Sequence, residues 1–272
     1  MNISLDIDRC KKCGKCIERM KNYCIKSDNG YPVFDEKLCN TCQKCVAICP
    51  FQAIKVNNIY AEKIDIIKPI DPNQFESFLE RRRSIKKFTV NKIPYEILHK
   101  IIGAAKYSPN QNKNISVLII TDRELINEID KQAVKSIRKL YKIMFGIKIV
   151  EWIISLIYKD IQLIKAKMEH SGLEHVVYEN AQAIILVLGD KKIAVTESSS
   201  HYMLSSMMYM AEVLGIGTCL MDSLKIAFQM SKGLRRNFKI RDNVLGAMIL
   251  GYSDENIINI PKGYEVKCTW NI

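Results

Sequence analysis

From residue 72 onward, hydrophobic positions follow a pattern of alternating helices and buried strands. Asp71 offers an N-cap and Pro72 a first helical position for a helix over 73–83. The periodicity then predicts, in chain order, helix 94–107, strand 115–121, a long helical stretch over 123–169, strand 182–189, helix 197–214, helix 222–236 and strand 243–250. Because apolar strands alternate with long helices, we predict a sheet covered by helices on both faces.

The first 60 residues have little apolar periodicity. Residues 30–35 and 51–56 each predict a short strand, the first of them preceded by a turn. A segment of this length buries little apolar surface, so its core must be supplemented, and a metal cluster would do so. We therefore divide the chain into a small unit over 1–60, a linker over 61–72 and a larger domain over 73–272, within an α+β fold class.

Eight of the ten cysteines lie within the first 49 residues and form an internal repeat. Two runs with the spacing Cys-x2-Cys-x2-Cys are offset by 29 residues: Cys10, Cys13, Cys16 and Cys39, Cys42, Cys45. A fourth cysteine follows each run, at Cys24 and at Cys49, and Pro50 comes directly after the latter. The second run has the spacing of bacterial ferredoxins, whose thiolates bind 4Fe–4S clusters. The first run departs from it, with seven residues where three are usual before Cys24 and Ile25 where proline is usual.

In two-cluster ferredoxins, the fourth cysteine of each run binds the cluster of the other run. The spacing therefore predicts two 4Fe–4S clusters, one bound by Cys10, Cys13, Cys16 and Cys49, the other by Cys24, Cys39, Cys42 and Cys45. If either cluster is altered, we expect it to be the one that includes Cys24. The alternative is a zinc module, but two triplets and a Cys-Pro ending fit zinc poorly. Cys219 and Cys268 are predicted to be buried structural thiols.

A basic run ends the first helix of the larger domain. It reads Arg81-Arg82-Arg83-Ser84-Ile85-Lys86-Lys87-Phe88, and its guanidinium groups and hydroxyl suit a phosphate dianion. The run resembles the opening motif of the nitroreductase family of FMN enzymes, Arg-Arg/His-Ser-x-Arg/Lys-x-Phe/Tyr. Segments similar to later family motifs follow in the family's order at 106–114, 179–187, 214–223, 250–252 and 260–262. The resemblance covers about residues 73–272 and implies a nitroreductase-like α/β/α sheet.

This resemblance implies FMN contacts at matching positions. It assigns Arg82, Arg83, Ser84, Lys86, Asn112 and Lys262 to FMN, and it places backbone amides of Asp222 and Ser223 at the N5 edge of the flavin. The loop around Asn114 is shorter than usual and lacks the family's glutamine and proline, which makes Asn110 the alternative to Asn112. Tyr264 stands where a second basic residue is common.

The formal charge of +12 overstates the charge of the assembled protein. Two clusters would contribute about −4 and a flavin phosphate about −2, which leaves an excess of about +6. Since this excess is modest and no reading motif is present, we predict no nucleic-acid partner. Residues 1–10 contain no apolar signal region, and the many cysteines then indicate the reducing cytoplasm.

No dinucleotide-binding fingerprint is present. Gly215-Ile-Gly217 follows a helical pattern and lacks the third glycine and the acidic residue. The four histidines form no ligand spacing, no residue stands out as a catalytic acid or base, and the stripe of Met203, Met207 and Met210 predicts a core or interface face.

The stretch 143–158 is strongly apolar along one helical face, and basic residues precede it. It contains Lys148 and Glu151 and is too short to span a bilayer. A membrane-surface helix has this pattern, and so does a helix packed in a dimer. Because the family that the chain resembles is dimeric, we predict a homodimer and no membrane association.

These features together predict an FMN-dependent oxidoreductase. It would take single electrons from an external donor, a ferredoxin-type protein or NAD(P)H, through two 4Fe–4S clusters to FMN. The acceptor implied by the resemblance is a nitroaromatic, a quinone or a similar small organic molecule. Two alternatives remain beside it: a flavin reductase fed directly by NAD(P)H with auxiliary clusters, and a non-catalytic electron-transfer or redox-sensing flavoprotein.

Overall fold

The computed structural model describes residues 2–21, 23–40, 42–64, 69–109, 115–172, 174–261 and 266–270. Secondary structure forms two groups along the chain, one before residue 61 and one after residue 71. None of the helices in the described ranges is both long enough and apolar enough to cross a membrane.

The N-terminal group consists of short strands and helices. They are β1 (Ile3–Leu5), α1 (Lys15–Met20), β2 (Ile25–Asp28), β3 (Tyr31–Phe34), α2 (Lys44–Ala47), β4 (Ile54–Val56) and β5 (Ile59–Tyr60). β1, β4 and β5 form one antiparallel sheet and β2 pairs with β3 in a hairpin. Asn29 and Gly30 make the two-residue hairpin turn, and both have positive φ, as this type of turn requires. The strands predicted over 30–35 and 51–56 correspond to β3 and β4.

Cysteine side chains form part of the core of this N-terminal group. Cys24 and Cys45 are buried together with a few apolar side chains, which are Met20, Ile25, Val46 and Ile54. Five more cysteines and a few partly buried apolar residues pack around them or line a neighbouring cavity. The small apolar core agrees with the expectation that a segment this short cannot fold on hydrophobic burial alone.

The second group contains a four-stranded sheet and its covering helices. Its elements are α3 (Pro72–Arg81), α4 (Tyr95–Gly103), β6 (Ser116–Ile120), α5 (Arg123–Phe145), α6 (Lys148–Ile157), α7 (Ile161–Ser171), β7 (Ala183–Gly189), α8 (Thr196–Val213), β8 (Gly217–Leu220), α9 (Asp222–Met230), α10 (Lys232–Asn237) and β9 (Asn243–Gly251). The strand order is β6-β7-β9-β8, and every neighbouring pair is antiparallel.

Helices cover both faces of this sheet, as predicted. Ile184 and Leu186 of β7 point into a core with residues of α5 and α9, whereas Ile185 and Val187 point into a core with residues of α4 and α8. Because successive strand residues face opposite sides, burial on both sides makes β7 a continuous apolar run. Met203, Met207 and Met210 of α8 lie in or pack against the second core. Of the two predicted roles for this stripe, a core face or an interface face, the structure shows the core face.

The long helical stretches are interrupted where the chain turns. The pattern over 123–169 forms three helices, α5, α6 and α7, and the pattern over 222–236 forms two. Ser231 separates α9 from α10, and its hydroxyl accepts a hydrogen bond from the Leu234 amide at 3.2 Å, so it caps the second helix. The helix predicted over 94–107 ends in a 3-10 turn over Ala104–Tyr107, and β8 was not predicted as a strand.

Gly251, at the end of β9, allows close packing of Phe88. A Cβ atom at this position would lie 2.6 Å from Cδ1 of Phe88, whose side chain is buried. We expect Gly251→Ala to lower the free energy of unfolding by about 1–3 kcal/mol because the ring has nowhere to move. Gly103, in a helix with no atom within 4 Å of an added Cβ, is the matched control.

Urea denaturation of both variants checks this prediction. Gly103→Ala should leave stability unchanged or raise it by up to about 1 kcal/mol, since alanine favours helix. Equal midpoints for Gly251→Ala and the natural protein would show that Phe88 does not restrict this position.

Candidate functional site

Four cysteines from both runs line one cavity of the N-terminal group. Lining residues include Cys10, Cys13, Cys16 and Cys49, with Gly14 and Gly30 beside them. Gly14 has a φ of 73° and turns the chain between Cys13 and α1, a conformation that favours glycine. Cys49, which follows α2 in the second run, accepts a hydrogen bond at Sγ from the Ala53 amide at 3.3 Å.

The other four cysteines lie close to one another. Cys39 and Cys42 are both close enough to Cys24 to affect its thiol. Burial raises the pKa of Cys45 to about 12, and the neighbouring thiols of Cys24, Cys42 and Cys39 add to the rise. Burial also raises the pKa of Cys24, with Cys39 as the next cause.

These arrangements suit iron–sulfur clusters. A buried thiol with a raised pKa stays protonated at neutral pH, and binding to a metal is what stabilises its thiolate. A tetrahedral zinc site needs its sulfur atoms about 2.3 Å from one point, whereas a cluster takes thiolates spread around a cavity. Four of the described cysteines line a common cavity, as thiolates around a cluster would.

In the larger domain, the basic run lies beside β8. Ser84 forms a parallel β-bridge with Thr218, and the Ile85 amide donates to the Thr218 carbonyl at 2.9 Å. A Cβ on Gly217 would lie 2.9 Å from Cγ1 of Ile85, so glycine at this position allows the two segments to approach. The basic run thereby becomes an additional edge segment of the sheet.

Side chains of the basic run gather around Cys219 of β8. Burial raises the pKa of the Cys219 thiol, and the charge of Lys86, a hydrogen bond from Ser84 and the charge of Arg82 partly oppose the rise. Arg82 and Arg83 are half-buried, while Ser84 and Lys86 are exposed. Two guanidinium groups, an ammonium group and a hydroxyl within five residues are a donor set that fits a phosphate dianion.

A carboxylate far along the chain fixes the backbone of this run. One oxygen of Glu255 accepts hydrogen bonds from the amides of Lys86 at 3.2 Å and Lys87 at 3.0 Å. The next residue of the run, Phe88, is buried and forms an antiparallel bridge with Ser253. Sequence reasoning missed Glu255, because nothing in the local pattern links it to residues 169 positions away.

Of the remaining predicted flavin contacts, the structure describes two, and the others lie outside the described residues. Asp222 and Ser223 form the first turn of α9, directly after β8, with Asp222 exposed and Ser223 half-buried. Asn112, its alternative Asn110, and Lys262 lie outside the described residues. The structure thus brings together the basic run, β8 and the start of α9.

Comparison with protein families agrees with this arrangement. A family model described as the nitroreductase family matches residues 79–252. The chain belongs to the nitroreductase family. A model described as a 4Fe–4S binding domain matches residues 31–54, which contain the second cysteine run. The chain is therefore a nitroreductase-family oxidoreductase that carries a 4Fe–4S binding domain.

Solved nitroreductases share the fold of the larger domain. A Bacteroides fragilis nitroreductase with bound FMN is 16% identical, with a TM-score of 0.55 over 74% of this chain and 99% of that one. A Desulfitobacterium hafniense nitroreductase with bound FMN is 17% identical, with a TM-score of 0.54 over 73% and 99%. An FMN-dependent nitroreductase from Clostridium difficile is 19% identical, with a TM-score of 0.50 over 73% and 100%. Among curated proteins, the comparison finds no match.

The prediction of a buried thiol holds for one of the two cysteines outside the repeat and fails for the other. Cys219 is buried, as predicted, but Cys268 is exposed, so the prediction of a buried thiol was wrong there. Residues 266–270, the part of this segment that the structure describes, have no regular secondary structure.

Proposed function

We propose that this nitroreductase-family enzyme uses FMN and two 4Fe–4S clusters to reduce a small organic acceptor with electrons from an external donor. The observation that supports the proposal most is that four cysteines line one cavity and four others influence one another's thiols, in the same chain as the nitroreductase-family domain. We propose that they form two ligand sets. The first set is Cys10, Cys13, Cys16 and Cys49, and the second set is Cys24, Cys39, Cys42 and Cys45. Bound FMN in two solved nitroreductases of the same fold supports the choice of flavin.

The residues proposed to hold FMN come from three segments. Arg82, Arg83 and Ser84 would bind the phosphate, and Lys86 would interact with the anionic edge of the ring. The amides of Asp222 and Ser223, in the first turn of α9, would lie at the N5 edge, and Asn112 and Lys262 complete the proposed set. When bound, FMN accepts single electrons and delivers them in pairs, which suits it to join iron–sulfur centres to nitroaromatic or quinone acceptors.

We divide the proposed function between a cluster-binding unit over 1–60 and an FMN domain over 73–272, joined by 61–72. The first unit would carry one-electron centres, for which its cysteine-lined core provides ligands. The second would bind FMN, because the basic run and β8 lie there. The acceptor would then bind in the same domain, where it can reach the flavin.

The test begins with protein purified without oxygen. We expect about eight iron atoms and one FMN per chain, and bleaching of both chromophores by dithionite. Turnover of menadione and nitrofurazone should then follow when a reduced ferredoxin is supplied. A preparation with zinc in place of iron and no flavin would overturn the proposal.

Stopped-flow reduction separates this proposal from direct feeding by NAD(P)H. If NADH or NADPH reduces the flavin rapidly, and removal of the clusters leaves that rate unchanged, the clusters are auxiliary. Slow reduction by both nucleotides, together with fast reduction by ferredoxin, is the result that we expect.

We further propose a homodimer in which α6 contacts a second copy of the chain. The outward face of α6 is apolar and exposed, and it consists of Ile149, Trp152, Ile153, Leu156 and Ile157. Its polar residue Glu151 instead points toward α7, where it pairs with Lys165 at 2.9 Å. An exposed face with this many large apolar side chains is typical of an interface.

Substitution on the outward face of α6 tests the dimer. Light scattering should give the natural protein twice the 31.3 kDa mass of one chain, and Trp152→Glu with Leu156→Glu should give a single chain. Tyr95→Glu with Val90→Glu, at other exposed apolar positions, is the control and should stay dimeric. A natural protein of single-chain mass that binds anionic vesicles through this face would favour a membrane surface instead.

A further inference from the structure

Basic side chains surround the exposed edge of the first cysteine set. Arg9, Lys11, Lys12 and Lys15 are all exposed, and residues 9–15 contain no acidic residue. Lys11 and Lys12 line the same cavity as the four cysteines of this set. We call these four cations the basic rim.

The cysteine at the centre of the basic rim is accessible. Cys13 is exposed, whereas the other three members of the first set are half-buried. Electron transfer between proteins needs close approach of the two redox centres, and an exposed ligand marks the edge at which a partner comes nearest. The accessible edge of this set is therefore also its most basic edge.

Two members of the basic rim are held in place by aromatic rings. The guanidinium carbon of Arg9 lies 3.8 Å from the ring centre of Tyr60, and Nζ of Lys12 lies 4.2 Å from the ring centre of Tyr31. Nζ of Lys11 donates to the Asp8 carbonyl at 3.3 Å. Side chains that are already ordered lose less entropy when they meet a charged partner.

The second cysteine set has no comparable excess of positive charge. Its exposed member is Cys42, and residues 35–44 contain two acidic residues, Asp35 and Glu36, and two basic residues, Lys37 and Lys44. A cluster on four thiolates would carry about −2 at either set. The matching stretch of the first run, residues 6–15, contains four basic residues and two acidic ones, Asp6 and Asp8, so its excess of two positive charges would offset that charge. The second set would remain negative, so the N-terminal unit would be polarised.

From this polarity we infer that the basic rim docks an acidic one-electron carrier protein, and that electrons enter the chain at the first cysteine set. The inference rests on the proposed function and adds to it the docking surface and the charge of the donor. In each encounter the carrier loses one electron and the enzyme gains one, and no covalent bond changes. Opposite charges would speed the encounter and orient the donor toward Cys13.

Binding measurements on the holoprotein test this inference, with an acidic two-cluster bacterial ferredoxin as the probe. Lys11→Gln, Lys12→Gln and Lys15→Gln are combined in one variant. The matched control combines Lys26→Gln, Lys37→Gln and Lys44→Gln, which removes the same charge from exposed positions nearer the second set. Calorimetry should show the rim variant binding the ferredoxin about tenfold more weakly at low salt, and the control about as tightly as the natural protein.

Turnover with two reductants completes the test. Menadione reduction driven by ferredoxin should fall about tenfold in the rim variant, while dithionite, which needs no docking surface, should bleach its cluster and flavin absorbance as completely as in the natural protein. Raising the salt to about 0.5 M should remove the difference between the variants, because surface charges are then screened.

Three results would overturn the inference. They are equal losses in the rim and control variants, ferredoxin binding that does not respond to salt, and binding of duplex DNA or anionic vesicles through the rim in place of the ferredoxin. Failure of the proposed function looks different: dithionite would then bleach no cluster or flavin chromophore in any variant, while ferredoxin binding would still report on the rim.

Discussion

Cys49→Ala is expected to remove the cluster of the first cysteine run and to leave that of its own run intact. The reason is that Cys49 lines a cavity with Cys10, Cys13 and Cys16, while Cys45 lies among Cys24, Cys39 and Cys42. Iron should fall from about eight to about four atoms per chain, and the remaining cluster should keep its electron paramagnetic resonance signal after reduction. Cys268→Ala, at an exposed cysteine outside both sets, should change neither quantity.

Double variants make this test independent of cluster stability. Cys49→Ala with Cys10→Ala should still retain about four iron atoms, because both cysteines serve one cluster. Cys49→Ala with Cys39→Ala should retain almost none, because each substitution removes a different cluster. The reverse pattern would show that each run binds its own cluster and that the two sets are assigned wrongly.

Arg82→Ala is expected to weaken FMN binding by about ten- to a hundredfold, the range for one charged hydrogen bond. Arg82 lies next to the bridge between Ser84 and Thr218, close enough to Cys219 to affect its thiol. Fluorescence titration of the flavin-free protein measures the affinity. Arg81→Ala is the matched control, since Arg81 is exposed and its Nε lies 3.6 Å from the carboxylate of Glu212.

Riboflavin distinguishes a phosphate contact from a general disturbance of the site. It has the same ring as FMN and no phosphate, so Arg82→Ala should leave its affinity almost unchanged. If both flavins lose affinity equally, Arg82 supports the fold of the site and does not contact the phosphate.

Features with a local cause could be predicted from the sequence. The cysteine spacing, the N-cap at Asp71 and the apolar run of β7 each depend on neighbouring residues, and all three predicted the right element or domain. Asp71 caps α3 through a hydrogen bond from the Gln74 amide at 2.9 Å, as its position indicated.

Features that depend on distant contacts could not be predicted in this way. β8 begins at Gly217, where no strand was predicted, and it becomes a strand because β9 and Ser84 pair with it. The bonds from Glu255 to the basic run join parts of the chain with no shared pattern. Periodicity also predicted an apolar helical face over 143–158 that includes Val150 and Ile154, but the structure half-buries these two and exposes other apolar side chains of α6, which only tertiary packing determines.

The exchange of fourth cysteines between the two runs, if the proposed ligand sets hold, constrains how the protein is made. Neither set is complete in a nascent chain shorter than 45 residues, and the first set is complete only when Cys49 has left the ribosome. The first half of the repeat therefore cannot be loaded with iron before the second half has been made. Iron supply during synthesis would thus act only after almost all of the N-terminal unit has left the ribosome, so neither cluster can assist the folding of the first 44 residues while they emerge.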